Sequence, residues 1–280
     1  MSEPGATVSG NKHMGRVLII AGSDPSGGAG VQADIKTVTM HGQYAAAAIT
    51  ALTVQNTIGV KEAVGVEPRI VADQITAVLE DVGADAVKTG MLFSADVVSA
   101  VVKALGTAKY DGPLVVDPVM VASSGDRLMD DTAVDLIRSK LIPMASLVTP
   151  NLPEAEVLTG IKVSSPDDMK QAGQIILSMG TSAVLMKGGH LQSDQLTDFL
   201  ITEQGVFERS SSKIDTRHTH GTGCTYASAF ASLLAAGHGV ESAFPMAHRF
   251  VQSAIQLAPG FGAGHGPIGH ALVRNKSFNG

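Results

Sequence analysis

The chain has 280 residues, of which 44% are hydrophobic, 16% charged and 4% aromatic, with a formal net charge of −6. That length suits one large domain or two small ones, with a core that Ala, Val, Ile and Leu must fill, as in parallel α/β proteins. The acidic balance, with no offsetting basic cluster, argues against a nucleic-acid or anionic-membrane surface; no apolar stretch is long enough to span a bilayer, and a single cysteine excludes an internal disulfide and fits a reducing, cytoplasmic compartment.

Residues 1–15 are polar and glycine-bearing and lack the apolar core of a signal peptide. They are expected to be a disordered lead before one domain spanning 16–280. Short β-rich runs follow at 16–21, 46–54, 86–88, 114–116, 146–148 and 183–186. Amphipathic helical patterns lie between them at 31–40, 70–82, 95–105, 132–141 and 167–179. Residues 197–202, a turn at Gly205 and residues 206–210 read as a hairpin. Two last helices are expected at 222–236 and 241–257. This alternation implies a mostly parallel α/β sheet covered by helices on both faces.

Chemistry collects where the strands end. The first run ends in Gly22-Ser23-Asp24-Pro25-Ser26-Gly27-Gly28-Ala29-Gly30, and the run at 86–88 enters Thr89-Gly90-Met91. The next ends carry Asp117-Pro118, then Thr149-Pro150-Asn151-Leu152-Pro153-Glu154, then Lys187-Gly188-Gly189-His190. Turn chemistry explains the glycines and prolines. It does not explain why Asp117, Asn151, Glu154 and Lys187 all fall on one edge, where open α/β sheets bind ligands. Residues 28–33 match G-x-G-x-x-A, but a dinucleotide site needs an acid about 20 positions on. Residues 45–59 contain none, and the Asp-Pro-Ser-Gly insertion lengthens the turn. There is no G-x-x-x-x-G-K-[ST] run either.

The most pointed segment is His218-Thr219-His220-Gly221-Thr222-Gly223-Cys224-Thr225, a glycine-bracketed turn opening into the apolar helix from Tyr226. Free amides at a helix start carry partial positive charge, and glycines let a phosphate approach them. The chain's one cysteine, Cys224, sits on the rim, and a helix start should lower its pKa toward thiolate. Asp34 follows the first glycine loop by about one turn. Gln55 and Asn56 offer amides that can read a heterocycle or cap the following turn. His218 and His220 give poor spacing for a transition metal. Asp117 and Glu154 suit magnesium, which asks for one or two carboxylates beside phosphate oxygens. Residues 122–127 form a candidate lid.

Seven of these segments, at 21–34, 50–57, 88–92, 116–120, 149–156, 186–190 and 220–225, occur in order and resemble the hydroxymethylpyrimidine/phosphomethylpyrimidine kinase family of the ribokinase-like superfamily. The resemblance implies a three-layer α/β/α sandwich and two successive phosphoryl transfers from ATP, in a homodimer. It places the pyrimidine against Gly22, Asp34, Gln55, Met91 and Val119. ATP would meet Asn151, Lys187 and Thr222, and magnesium Asp117 and Glu154. Gly221, Thr222, Gly223, Cys224 and Lys187 would carry the transfer, with Cys224 as base. A pyridoxal or pyridoxine kinase of the same branch, or an enzyme acting on both substrates, is the alternative it leaves open.

Overall fold

The first strand, β1 (Arg16–Ser23), points its side chains into two separate apolar environments. Leu18 and Ile20 join one buried cluster, while Val17, Ile19 and Ala21 join the other. A strand covered on both faces needs no polar alternate, so the run Val-Leu-Ile-Ile-Ala is continuously apolar. In the computed structural model, which describes residues 14–120, 129–189 and 195–273, this pattern extends across a nine-stranded sheet.

The strands that follow are β2 (Tyr44–Gln55), β3 (Val60–Gly65), β4 (Ala86–Thr89) and β5 (Leu114–Val116). Then come β6 (Leu147–Val148), β7 (Ala183–Met186), β8 (Gln195–Thr202) and β9 (Gly205–Ser212). Their spatial order is β3-β2-β1-β4-β5-β6-β7-β8-β9. Strands β2, β1, β4, β5, β6 and β7 are parallel neighbours, whereas β3, β8 and β9 pair antiparallel at the two edges.

Three helices, α1 (Gly30–Met40), α7 (Thr222–Ala235) and α8 (Val240–Gln256), pack on one face. The other face carries α2 (Pro68–Asp81), α3 (Ala95–Thr107), α4 (Asp131–Leu136), α5 (Leu152–Thr159) and α6 (Pro166–Leu177). The result is a three-layer α/β/α sandwich. From β1 the chain turns one way to β2 and β3, then crosses to β4 and continues the other way. That reversal leaves a crevice beyond the carboxyl ends of β1 and β4.

Three elements differ from the sequence expectation. The segment Val60–Gly65 forms the edge strand β3, with Leu52 opposite Val64. Its Lys61 and Glu62 are exposed, and such charges at a sheet edge mask the apolar alternation. Helix α5 begins where a strand-end loop was expected. Asn151 and Glu154 form a reciprocal capping box there, and Pro153 occupies the first turn. The helix expected at 132–141 is α4 followed by a wider π turn at Ile137–Leu141. Residues 122–127 and His190 lie outside the described residues.

Candidate active site

Helix α7 starts at a left-handed glycine. Gly221 has φ 84°, and a Cβ there would collide with the Gly28 carbonyl. The Thr225 amide donates to the Gly221 carbonyl at 2.9 Å, closing the first helical turn, and the Thr222 amide is taken by Thr219 at 3.2 Å. Helix geometry then gives the Gly223 and Cys224 amides no intrahelical acceptor, and the helix dipole adds positive potential there. A Cβ at Gly223 would stand 3.2 Å from Lys187 Nζ and 3.9 Å from Asp117 Oδ2. Glycine thus brings bare backbone against a cation and a carboxylate.

Those two charges come from the ends of β7 and β5. Lys187 Nζ donates to Asp117 Oδ1 at 3.1 Å, and the Thr149 hydroxyl donates to the same oxygen at 3.1 Å. Burial weakens the lysine's hold on its proton, but Asp117 and Glu154 outweigh it and keep Lys187 above its ordinary value. Glu154 is 3% exposed at the first turn of α5, where the Asn151 amide donates to its Oε2 at 2.8 Å. Burial pushes its carboxyl up to about 7, with Asp117 adding to the rise while Lys187 and the Asn151 and Met120 amides oppose it.

Behind this lies a second ion pair. Lys88 Nζ donates to Asp34 Oδ2 at 2.8 Å, both side chains are 0% exposed, and the Ser228 hydroxyl takes the other Asp34 oxygen at 2.7 Å. Burial raises the Asp34 pKa, and Lys88 and Ser228 work against that rise.

Gly22, Gln55, Met91, Val119, Asp117, Asn151, Glu154, Lys187, Gly221, Thr222, Gly223 and Cys224 line one cavity of about 630 Å³. That size holds two small ligands side by side. A model described as phosphomethylpyrimidine kinase matches residues 24–269. The chain belongs to that family. A thiamine biosynthesis bifunctional protein of Geobacter sulfurreducens is 48% identical over 92% of this chain, which spans only 53% of that relative's length. A hydroxymethylpyrimidine/phosphomethylpyrimidine kinase of Bacillus subtilis is 43% identical over 94% of this chain and 97% of its own. A Clostridium difficile phosphomethylpyrimidine kinase structure, 41% identical, superposes with TM-score 0.75 over 86% of this chain and 99% of that one. A Staphylococcus aureus pyridoxal kinase in complex with AMP-PCP, 33% identical, superposes with TM-score 0.86 over 93% and 95%.

Two expectations need correction. Asp34 does not line the cavity in this structure: Lys88 and Ser228 take its two carboxylate oxygens and its side chain is 0% exposed. Cys224 is no resting thiolate. Burial pushes its thiol up to about 12, and Asp34 and Asp117 add to that, outweighing Lys88 and the Gly30 amide. The local charges and desolvation exceed the pull of the helix start.

The structure also adds residues that sequence reading passed over. Lys88 lines the cavity although it sits mid-strand in a buried position. Asp24 and His220 line it as a hydrogen-bonded pair at 2.8 Å. The sequence signal was an aspartate followed two residues later by Ser26, whose amide caps it at 2.9 Å. Leu196, Ile214, Gln252 and Ile255 also line the cavity, from segments with no motif of their own. Asn56 caps its own turn through Ile58 at 2.9 Å, while Gln55 faces the cavity. His218 and His220 do not join a metal-binding cluster among the described residues. No helix among those residues is long and apolar enough to cross a membrane.

Proposed function

We propose that the chain transfers the terminal phosphoryl group of ATP to 4-amino-5-hydroxymethyl-2-methylpyrimidine and then a second group to the resulting monophosphate. One observation carries this reading: the amide turn at Gly223, with Lys187 and Asp117 against it, opens into the same cavity as Gln55. The names of the kinase relatives support the substrate, and the nucleotide complexes of the pyridoxal kinases support ATP. Apolar Leu196, Ile214 and Ile255 suit a nucleotide base, with the phosphates reaching Asn151, Thr222 and Lys187.

In the first step the alcohol oxygen attacks the terminal phosphorus, the bond to ADP breaks, and the alcohol proton passes to an oxygen of the transferred phosphoryl group or to water. In the second step a phosphate oxygen attacks and is already ionised. Such transfers depend on positioning and on stabilising the equatorial oxygens. The Gly223 and Cys224 amides and Lys187 supply that stabilisation. The protonated Cys224 thiol adds a weak donor, and its neutrality admits the second, anionic substrate. Asp117 and Glu154 would hold magnesium. Asp117 Oδ1 is occupied by Lys187 and Thr149, while Oδ2 turns toward Gly223. Two carboxylates with phosphate oxygens fit that ion, which when bound neutralises phosphate charge.

We read the assembly as a cytoplasmic homodimer. Leu52, Val54, Ile58 and Val64 stand 54–72% exposed around the β2–β3 edge, an apolar face that a second copy would cover. The pyridoxal kinase likeness favours a second reading, in which pyridoxal is the alcohol or shares the site. The deciding experiment is ADP release with the hydroxymethylpyrimidine, its monophosphate and pyridoxal side by side. Turnover of the first two with little of the third supports the main reading. Exclusive turnover of pyridoxal overturns it.

A further inference from the structure

Strand β7 leaves the sheet just before Lys187. Its antiparallel ladder with β8 pairs Val184 with Ile201, Leu185 with Leu200 and Met186 with Phe199, and stops there. The next two amides turn to different partners. The Lys187 amide donates to the Pro150 carbonyl at 3.2 Å, beyond the end of β6. The Gly188 amide donates to Asp198 Oδ1 on β8 at 2.8 Å. These are the two peptide planes that flank the Lys187 α-carbon. A peptide plane is rigid, so anchoring both fixes φ and ψ at Lys187 and with them the direction in which its side chain leaves the backbone. That direction carries the ammonium to Asp117 Oδ1 at 3.1 Å and to the bare backbone at Gly223.

The packing around this turn is close. A Cβ at Gly188 would collide with the Thr197 carbonyl, so only glycine lets the Gly188 amide approach β8 at this point. Lys187 and Gly189 are among the described residues that line the cavity, whereas Gly188 and Asp198 are not. Asp198 therefore sits behind the turn and meets neither substrate. Its carboxylate is itself held in place. The side chain is 13% exposed, His248 Nε2 on α8 stands 4.0 Å from Oδ2, and Tyr226 on α7 faces it. Tyr226 lies one helical turn beyond Thr222, so Asp198 borders both the lysine turn and the helix whose first amides face the cavity.

We propose that Asp198 is a positioning residue for phosphoryl transfer, which holds the Gly188 amide so that the Lys187 ammonium stays beside Asp117 and the 221–224 turn. What the position requires is an acceptor of the right reach, and the amide oxygen of asparagine supplies one. Without an acceptor the Gly188 amide is left unpaired, the turn shifts to find another partner, and the ammonium moves off the reacting phosphoryl group. Displacement of a group by about 1 Å can cost about 100-fold in rate. The inference rests on the proposed reaction and adds a residue outside the cavity on which its rate depends.

The test assays the full chain, Asp198→Asn, Asp198→Leu and Asp198→Ser with ATP, magnesium and 4-amino-5-hydroxymethyl-2-methylpyrimidine. Asp198→Leu, similar in size but without an acceptor, should lower kcat by about 10–100-fold with KM for the alcohol within about twofold of the parent. Asp198→Ser, whose hydroxyl stops short of the Gly188 amide, should do the same and serves if the leucine variant does not fold. Asp198→Asn should retain kcat to within about threefold. In a Lys187→Met background Asp198→Leu should cost less than about twofold more, because the group it positions is gone. A crystal structure of the leucine or serine variant should show Lys187 Nζ more than about 4 Å from Asp117 Oδ1. Full kcat in Asp198→Leu or Asp198→Ser, or an equal loss with and without Lys187, overturns this inference alone. So does unfolding of both of those variants while Asp198→Asn folds, which would make Asp198 a stability residue. Failure of the unaltered chain to turn over either this alcohol or pyridoxal overturns the functional reading and the inference together.

Discussion

Two lysine–aspartate pairs adjoin the same cavity and do different work. Lys88 and Asp34 are sealed at 2.8 Å with both side chains at 0% exposure, and Ser228 takes the remaining carboxylate oxygen. Lys187 and Asp117 meet at 3.1 Å with the lysine 13% exposed, and Thr149 shares the oxygen that Lys187 already uses. The first pair is closed on itself and ties β4 to α1 and α7. The second keeps Asp117 Oδ2 and the ammonium turned toward Gly223. Charge alone therefore does not mark a site. What marks it is an ion pair left with unused hydrogen-bonding capacity beside bare backbone amides.

The largest effect should come from breaking the sealed pair. Lys88→Met strands the Asp34 carboxylate without its cation and should cost about 3–5 kcal/mol in urea denaturation. The double change Lys88→Met, Asp34→Leu should recover part of that loss, because no uncompensated charge remains. Breaking the open pair should do the reverse. Lys187→Met should lower kcat by about 10²–10³-fold, as loss of one donor to a developing oxyanion does. Its denaturation midpoint should fall by less than that of Lys88→Met, because Asp117 keeps the Thr149 hydroxyl and borders the cavity. If Lys187→Met unfolds the chain while Lys88→Met spares it, the contrast between the pairs is wrong.

Cys224 sharpens the contrast at the boundary between the pairs. A neutral donor predicts that Cys224→Ala slows both phosphorylations by a similar factor, about tenfold. A base would instead be needed for the alcohol step only, where loss of a base costs about 10²–10⁴-fold. Cys224→Asp should harm the phosphate step more than the alcohol step, through like-charge repulsion. Rapid-quench rates of the two steps measured separately would decide.

The remaining effect concerns Glu154. Its carboxyl is raised to about 7 in the folded chain, above its unfolded value. The protonated form is thus favoured by folding, and its stabilising contribution is complete below about 4.5 and is lost as pH rises through about 7. Stability without magnesium should fall across that window with a slope of at most about 1.4 kcal/mol per pH unit from this group. Glu154→Gln should remove that component. Magnesium, which needs the ionised form, should bind more weakly as pH falls below about 7.

Much of this was legible in the sequence because strand bodies and strand ends obey different chemistry. The continuous apolar runs marked β1, β4, β5 and β7, the polar strand ends pointed to Asp117, Asn151, Glu154 and Lys187, and the glycine-bracketed helix start pointed to the 221–224 turn. Asp34 misled because a helix-borne aspartate after a glycine loop looks the same whether it meets a ligand or a lysine about 50 residues on. Its partner Lys88 lies mid-strand, and pattern alone cannot tell a buried lysine from an exposed one. Cys224 misled because a helix start is a local feature, while burial and Asp117 act from elsewhere in the fold. Strand β3 was hidden by its edge charges. Helix α5 was announced by Asn151 and Glu154 in capping-box spacing, a signal outweighed by the two prolines around it.

The most direct test of the central claim is a crystal structure of the chain with ADP, magnesium, aluminium fluoride and the hydroxymethylpyrimidine. The account predicts fluoride ligands within about 2.7–3.1 Å of the Gly223 and Cys224 amides and of Lys187 Nζ, with the pyrimidine against Gln55. A fluoride complex bound away from that turn, with the Gly223 amide facing water, would contradict it.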